Sequence, residues 1–214
     1  MLRIDSLCAN AAAFAQQTSC RDIPELYGVD NGKSVGSWVE IQFQAMLAVG
    51  YDFPKSNAAA GIDCPSLNVD VKATSITQPQ SSCPFKSAAQ KIFGLGYALL
   101  VFVYEKADNA SAKTSRLDFH HIVFVDASCT ADFQTSRGIR QILENGGNED
   151  DLIAFMSDKN LPVDSIEAKR LAAKILKSPP KQGYLTISNA LQWRLQYTRV
   201  IGEAGKTTGI VRVR

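Results

Sequence analysis

Residues 60–75 have the sequence AGIDCPSLNVDVKATS, and the rest of the chain is interpreted from this stretch. In its second half apolar and polar side chains alternate, which is the period of a half-buried β-strand. This alternation places Asp70 and Lys72 on the same face of the strand. The proline-containing residues 64–66 predict a turn, so Asp63 would lie on the first arm of a hairpin, beside Asp70. Two carboxylates and an ammonium would therefore meet at one end of a small sheet.

The paired carboxylates indicate a metal site. Mg²⁺ prefers hard oxygen ligands and usually takes one or two protein carboxylates, with water and substrate phosphate in its remaining positions. Asp63 and Asp70 therefore predict that Mg²⁺ is the cofactor, with Mn²⁺ as a substitute.

The residues Ile62-Asp63 and Asp70-Val71-Lys72 resemble the signature of the PD-(D/E)XK nuclease superfamily, which includes most type II restriction endonucleases. Ile62 stands where the family name has proline, and the second acid is Asp70. The resemblance implies Mg²⁺-dependent hydrolysis of phosphodiester bonds in double-stranded DNA. In this interpretation Asp63, Asp70 and the Val71 carbonyl bind the metal, and Lys72 places its ammonium where negative charge develops on the phosphate.

A helix predicted upstream adds a fourth catalytic candidate. Ser34 is expected to cap a helix that runs to about Val49, with Gly50 just after its end. Glu40 lies in the middle of this helix. Many members of the resembled superfamily carry a glutamate there that points at the metal, so the resemblance assigns Glu40 to the catalytic group. An ordinary solvent-facing glutamate is the alternative.

Two segments after the lysine strand hold candidate DNA contacts. A polar loop is predicted from Thr74 to Ser82, and within it Gln78, Gln80 and Ser81 are expected to contact DNA. Simple solvation of the loop is the alternative. A short helix is predicted next, and its Lys91 corresponds in position to a Gln or Lys that some relatives place near the scissile phosphate.

The C-terminal part of the chain is basic. From Ala168 to Arg214 there are ten Lys or Arg residues and a single acid, Glu203. Such asymmetry is typical of a polyanion-binding surface, although a solvated basic surface is also consistent with it. Arg194 and Arg199 are interleaved with two aromatic residues, a pattern that suits nucleic acid, so both arginines are predicted to contact DNA. Core packing of the aromatic residues fits equally well.

The fold class predicted is α/β (α+β), with a mixed central sheet, flanking helices and the αβββαβ core of the resembled superfamily. Apolar runs predict strands at 96–104 and 117–125, joined by a loop from Glu105 to Arg116. Residues 1–126 would form the nuclease core with an N-terminal helix. Residues 127–214 would form a mostly helical, basic elaboration packed on the core, serving DNA recognition or dimerisation.

Within this elaboration the sequence predicts three helices, at about 131–143, 150–156 and 165–177. A short helix is predicted from Ser188 to Arg194, and strands are predicted at Gln196–Ile201 and Gly209–Val213.

Composition excludes several other classes. The chain has 214 residues and is 45% hydrophobic, but no run approaches the roughly 20 apolar residues of a membrane helix. The five cysteines are scattered and form no C-x-x-C pair, which predicts reduced thiols in a cytoplasmic protein. His120 and His121 are adjacent on a strand, so they would point to opposite sides and could not share one metal centre.

A type II restriction endonuclease that cuts a specific short sequence is the first interpretation, because the chain carries no ATPase or methyltransferase motif. The resemblance further implies a homodimer and a cognate DNA methyltransferase in the host. Two alternatives stay open: a DNA repair or junction-resolving nuclease of the same fold, and a non-catalytic DNA-binding protein.

Overall fold

The computed structural model describes residues 2–51, 62–83, 86–188 and 193–214. In chain order, the helices and strands within these ranges are α1 (Ile4–Ser19), α2 (Gly32–Gly50), β1 (Val69–Ser75), β2 (Gln80–Cys83), α3 (Ala89–Phe93), β3 (Ala98–Asn109), β4 (Thr114–Val125), α4 (Phe133–Glu144), α5 (Glu149–Asp158), α6 (Ser165–Lys177), β5 (Thr186–Ile187), β6 (Trp193–Gln196), α7 (Thr198–Glu203) and β7 (Ile210–Arg212).

Four strands form a mixed central sheet in the order β1-β3-β4-β7. β1 runs parallel to β3, whereas β4 is antiparallel to both β3 and β7. A parallel pair needs a crossover connection, and here β2 and α3 lie in that connection. The predicted mixed sheet with flanking helices is thereby confirmed. The sequence also predicts that a strand begins at Tyr51 to Phe53, but residues 52–61 lie outside the described residues.

The hairpin of β3 and β4 is longer than predicted. The loop predicted from Glu105 to Arg116 is wrong, because the paired strands continue to Asn109 and resume at Thr114. In the outer half of this hairpin β3 has no buried side chain after Tyr104, whereas Thr114, Ser115 and Leu117 of β4 are buried. The β3 side therefore lacks the apolar pattern that marks a strand, and it is held by backbone pairing with β4.

The first core lies between one face of the central sheet and the two N-terminal helices. The sequence spacing of Val35, Val39, Phe43 and Met46–Leu47 predicts an apolar stripe on α2. This stripe is confirmed, because Val35, Val39, Phe43 and Leu47 are buried in this core and Met46 packs against it. Phe43 packs against Phe102 of β3, with 5.2 Å between the ring centroids. The predicted cap is wrong: Asn31 precedes the helix and accepts a hydrogen bond from the Lys33 amide at 2.9 Å.

A second, three-stranded antiparallel sheet has the order β2-β6-β5 and packs on the other face of the central sheet. The predicted polar loop from Thr74 to Ser82 is therefore wrong at both ends, because residues 74–75 belong to β1 and residues 80–82 to β2. The helix predicted from Ser188 to Arg194 falls mostly on residues 189–192, which lie outside the described residues. Its C-terminal end is wrong, because Trp193 and Arg194 belong to β6. The strand predicted at Gln196–Ile201 is also wrong, since α7 begins at Thr198.

The third core is helical and contains α3, α4, α5 and α6. The three helices predicted in this region are confirmed. After them the chain returns to the central sheet, where β7 pairs with β4. The roles predicted for residues 127–214, in DNA recognition or dimerisation, stay predictions. Within the described residues, no helix is long and apolar enough to cross a membrane.

Candidate active site

The outer edge of β1 positions Asp63. In the described part of the chain β1 is the outermost strand of the central sheet, so one side of its backbone has no strand partner. On that side the Val71 amide donates to Asp63 Oδ2 at 2.9 Å. Cys64 and Val69 exchange two backbone hydrogen bonds, of 2.9 and 3.2 Å, around a turn of 3₁₀ helix at Pro65–Leu67. The chain therefore folds back before β1, but through a single bridge in place of the predicted hairpin arm.

Asp70 and Lys72 lie on the same face of β1 and form an ion pair, with 2.8 Å between Lys72 Nζ and Asp70 Oδ2. The side chains are 6% and 22% exposed, so water screens this pair weakly. Lys72 Nζ also donates to the Val71 carbonyl at 3.2 Å. Since the amide and carbonyl of one strand residue point to the same edge, the Val71 oxygen faces the same side as Asp63.

Helix α2 brings Glu40 to this cluster. The helix approaches β1 closely at Gly36, where an added Cβ would lie 3.3 Å from the Ala73 carbonyl oxygen. Glu40 follows one turn later and is half-buried. Glu40 and Lys72 line the same cleft, and Lys72, Asp63 and Asp70 all act electrostatically on the Glu40 carboxyl group.

This cluster contains one ammonium group, that of Lys72, and the three carboxyl groups of Glu40, Asp63 and Asp70. Burial raises the pKa of Glu40 to about 7; Lys72 opposes this rise, and Asp63 and Asp70 add to it. Burial also raises the pKa of Asp70 to about 7, because attraction to Lys72 does not offset burial and the hydrogen bond with Asp63. Burial lowers the pKa of Lys72, but the surrounding carboxylates outweigh burial and the net shift is upward. A cluster with this excess of negative charge favours an additional cation.

The donor set fits Mg²⁺. Asp63, Asp70 and the Val71 carbonyl provide hard oxygen atoms at the edge of β1. Among the described residues, no group of three or more His, Cys, Asp or Glu side chains is arranged as a metal cage. Mg²⁺ does not require such a cage, because it commonly keeps several waters and binds through one or two carboxylates.

Gln44 is a candidate site residue that was not predicted from the sequence. Its Nε2 donates to Asp63 Oδ1 at 3.0 Å, while the Val71 amide donates to Oδ2. Both oxygen atoms of Asp63 therefore have fixed donors, which hold the carboxylate in one orientation. The available signal was spacing, because Gln44 lies one helical turn after Glu40 on α2.

A cleft of about 920 Å³ opens beside the cluster and is lined by both Glu40 and Lys72. Four of the predicted DNA contacts also line it: Gln78, Gln80, Ser81 and Arg194. These residues come from the turn after β1, from β2 and from β6. The structure thus brings the candidate DNA contacts and the candidate catalytic lysine to one open space.

Two other predicted DNA contacts lie away from this cleft. Lys91 is only 4% exposed, and its Nζ lies 5.9 Å from the centroid of the Trp193 ring. Burial lowers the pKa of Lys91. Arg199 stacks on Phe133, with its guanidinium carbon 3.7 Å from the ring centroid. Contact of Lys91 and Arg199 with DNA stays a prediction.

Comparison with known proteins gives one consistent result. The model of the family described as type II restriction enzyme NspV matches residues 1–212. The type II restriction enzyme NspV of Nostoc sp. (strain ATCC 29411 / PCC 7524) is 59% identical over 213 residues, covering 100% of this chain and 97% of that protein. No solved structure matches the chain. The matched range includes every residue of the cluster and of the cleft.

Proposed function

This chain belongs to the family of the type II restriction enzyme NspV, and from that membership we propose a Mg²⁺-dependent endonuclease that hydrolyses double-stranded DNA at a specific short sequence. One observation supports the metal-dependent chemistry: the side chains of Glu40, Asp63, Asp70 and Lys72 lie together beside the cleft. Three acids around one ammonium on a sheet edge provide both a place for a divalent cation and a fixed positive charge.

Asp63, Asp70 and the Val71 carbonyl would hold the metal, with Mn²⁺ as a substitute for Mg²⁺. When bound, the ion supplies Lewis acidity toward a phosphate oxygen and lowers the pKa of a bound water. The support for these ligands is their chemistry and the raised pKa of Asp70, because excess negative charge at a buried carboxyl is relieved by a cation.

Lys72 provides the positive charge that the reaction needs. Its ammonium lines the cleft and is held by Asp70 at 2.8 Å and by the Val71 carbonyl at 3.2 Å. A charge fixed in this way stabilises the negative charge that develops on the phosphate without reorganising first. Glu40 lines the same cleft, and in this proposal its carboxylate accepts a hydrogen bond from the attacking water.

Cleavage of plasmid and phage DNA tests the function. With Mg²⁺ or Mn²⁺ the wild type should give discrete fragments, and with EDTA it should give none. Asp70→Asn should still retain DNA in a gel shift but should not cut it. The matched control is Asp158→Asn, which changes an exposed aspartate at the end of α5 and should cut normally.

Other outcomes would point elsewhere. Equal cutting by Asp70→Asn and wild type would refute the site. Cleavage confined to junctions or mismatched duplexes would identify a repair nuclease, and binding by the wild type without any cutting would identify a non-catalytic DNA-binding protein.

A homodimer and a cognate DNA methyltransferase in the host complete the proposal. Two-fold symmetry lets one enzyme act on both strands of a palindromic site. Light scattering with and without a duplex tests the dimer, and modification of host DNA at the mapped site tests the methyltransferase. The cytoplasmic location stays a prediction; all five cysteines are free, as in a reducing compartment.

A further inference from the structure

The small sheet has a polar face. Gln196 of β6 is paired with Gln80 on one side and with Thr186 on the other, and Arg194 is paired with Ser82. Directly paired residues in an antiparallel sheet lie on the same face, as do residues two apart along one strand. These five side chains therefore form one surface, which we call the polar face: Gln80, Ser82, Thr186, Arg194 and Gln196.

The opposite face of the small sheet fixes the orientation of the polar face. Cys83, Ile187, Trp193 and Leu195 alternate with the polar residues and are buried against the central sheet. A shift of one residue in register would bury the polar side chains and expose these apolar ones. The polar face is therefore presented outward on a firmly packed support.

The polar face carries one cation and no acid. Arg194 and Gln196 lie on the central strand of the sheet and are exposed. Neither side chain makes a hydrogen bond or ion pair with any other residue in the described ranges. Amide, hydroxyl and guanidinium groups together can bind phosphate oxygens and the donors and acceptors on base edges.

The polar face is continuous with the candidate active site. Gln80, Ser82 and Arg194 line the same cleft as Lys72 and Glu40. The major groove of B-DNA is about 12 Å wide and admits a two-stranded β-ribbon. The paired strands β2 and β6, about 4.8 Å apart, are such a ribbon and carry Gln80, Ser82, Arg194 and Gln196. These two strands are therefore narrow enough to enter a groove of a duplex whose backbone lies in the cleft.

We propose that the polar face is the docking surface for the DNA duplex, and that Gln196 on its central strand is a specificity-determining residue. This proposal rests on the proposed nuclease function. It adds Gln196, Ser82 and Thr186 to the DNA-contacting residues, and it places recognition on β-strands.

The test begins with the cleavage site that the wild type defines on phage DNA. Duplexes containing that site, and the same duplexes with one base pair replaced, are compared by kcat/KM. Gln196→Ala should lower the preference for the intact site about tenfold or more. The matched control is Gln17→Ala, an exposed glutamine of α1, which packs on the opposite face of the central sheet. This control should leave the preference unchanged.

A second variant separates folding from recognition. Gln196→Glu is nearly isosteric, so it should melt like the wild type, and its carboxylate should weaken DNA binding more than Gln196→Ala does. If both Gln196 variants bind and cut like the wild type, the polar face does not contact DNA. If the wild type binds without cutting, the nuclease function fails, whereas the gel shift with Gln196→Glu still decides the docking surface.

Discussion

The edge of β1 and the polar face of the small sheet differ in how many charged groups they hold and in how far water reaches those groups. At the edge of β1, three carboxyl groups and one ammonium are packed together, and the Asp70 side chain is only 6% exposed. On the polar face a single cation, Arg194, stands in solvent among neutral side chains. Charges interact strongly where water is excluded and weakly where it is not. The first region is therefore suited to chemistry on a phosphate, and the second to reversible contact with DNA.

Hydrogen bonds hold the edge of β1 and the polar face in a fixed relative position. Thr74 at the end of β1 is buried, and its Oγ1 accepts from the Gln80 amide at 3.0 Å. Ser81 Oγ lies 2.5 Å from the Tyr197 hydroxyl, which ties β2 to the start of α7. The turn between β1 and the polar face is thus held at both ends. A duplex docked on the polar face would lie beside the cleft that Lys72 lines.

The largest effect is expected from removing the half-buried cation of Lys72. Lys72→Gln should lower the single-turnover cleavage rate about 10²- to 10³-fold, because the fixed charge beside the phosphate is lost. DNA retention in a gel shift should change far less. Lys169→Gln, on an exposed lysine of α6, is the matched control and should cut normally. A Lys72→Gln rate close to that of the wild type would show that this ammonium does not act on the reaction.

Substitution of Gln44 tests whether the fixed orientation of Asp63 matters, and we expect it to lower the affinity for metal. Gln44→Ala removes the donor to Asp63 Oδ1, so the apparent Mg²⁺ affinity should fall about 10- to 100-fold. Saturating Mg²⁺ should then restore most of the cleavage rate. A rate that stays low at every Mg²⁺ concentration would indicate a general structural defect. The control is Gln141→Ala, which removes the side-chain amide of an exposed glutamine on α4.

The sequence predicted the arrangement at the edge of β1 well because its signals are local. Alternation along β1 pairs Asp70 with Lys72, and helical spacing in α2 turns Glu40 away from the apolar stripe. Gln44 follows the same spacing, but an amide that holds a carboxylate has no motif of its own. Asp63 was predicted to lie beside Asp70; the structure places it at the edge of β1, where the Val71 amide donates to it, although the predicted hairpin is only a bridge.

The polar face could not be predicted in the same way, because β6 depends on partners far along the chain. Its strand character comes from pairing with β2 and from burial of Trp193 and Leu195, and neither is visible in a short window. The boundary between β6 and α7 was missed for the same reason. Lys91 illustrates the converse, since long-range packing places a residue with a surface-type side chain in the interior.

The charge crowding at β1 predicts a pH-dependent response to metal. The pKa values of Glu40 and Asp70, about 7 in the folded protein, lie above their ordinary values of 4.5 and 3.8. The folded protein therefore holds protons that the unfolded chain releases. In EDTA, the stability contributed by this pair is fully present below the ordinary values and is lost as the pH rises toward 7.

Mg²⁺ should reverse this loss. Because the metal competes with protons for the carboxylates, its apparent affinity should rise as the pH rises to 7, by up to about tenfold per pH unit for each proton displaced. Thermal melts with Mg²⁺ and with EDTA across this range measure the effect. Asp70→Asn should respond less to both pH and metal. A metal-induced shift that does not depend on pH would contradict the crowding of these carboxyls.

Substitution of Arg194 tests the polar face, where the expected effect is smaller. Arg194→Ala should weaken DNA binding severalfold at low salt and reduce the slope of log K against log salt by about one, because one phosphate contact is lost. Cleavage of bound DNA should continue. Arg21→Ala, on an exposed arginine just after α1, is the control and should leave the slope unchanged. An unchanged slope in Arg194→Ala would remove this residue from the phosphate contacts.

The smallest effect is expected from removing the hydrogen bond between Ser81 and Tyr197, which joins β2 to α7. Tyr197 is fully buried, and its hydroxyl meets Ser81 Oγ at 2.5 Å. Tyr197→Phe and Ser81→Ala should each lower the free energy of unfolding by about 1 kcal/mol, since each leaves a polar partner unsatisfied. The double variant should lose less than the sum, because no orphaned hydroxyl remains. Urea unfolding of the four proteins measures the coupling, and strictly additive losses would show that this hydrogen bond does not join β2 to α7.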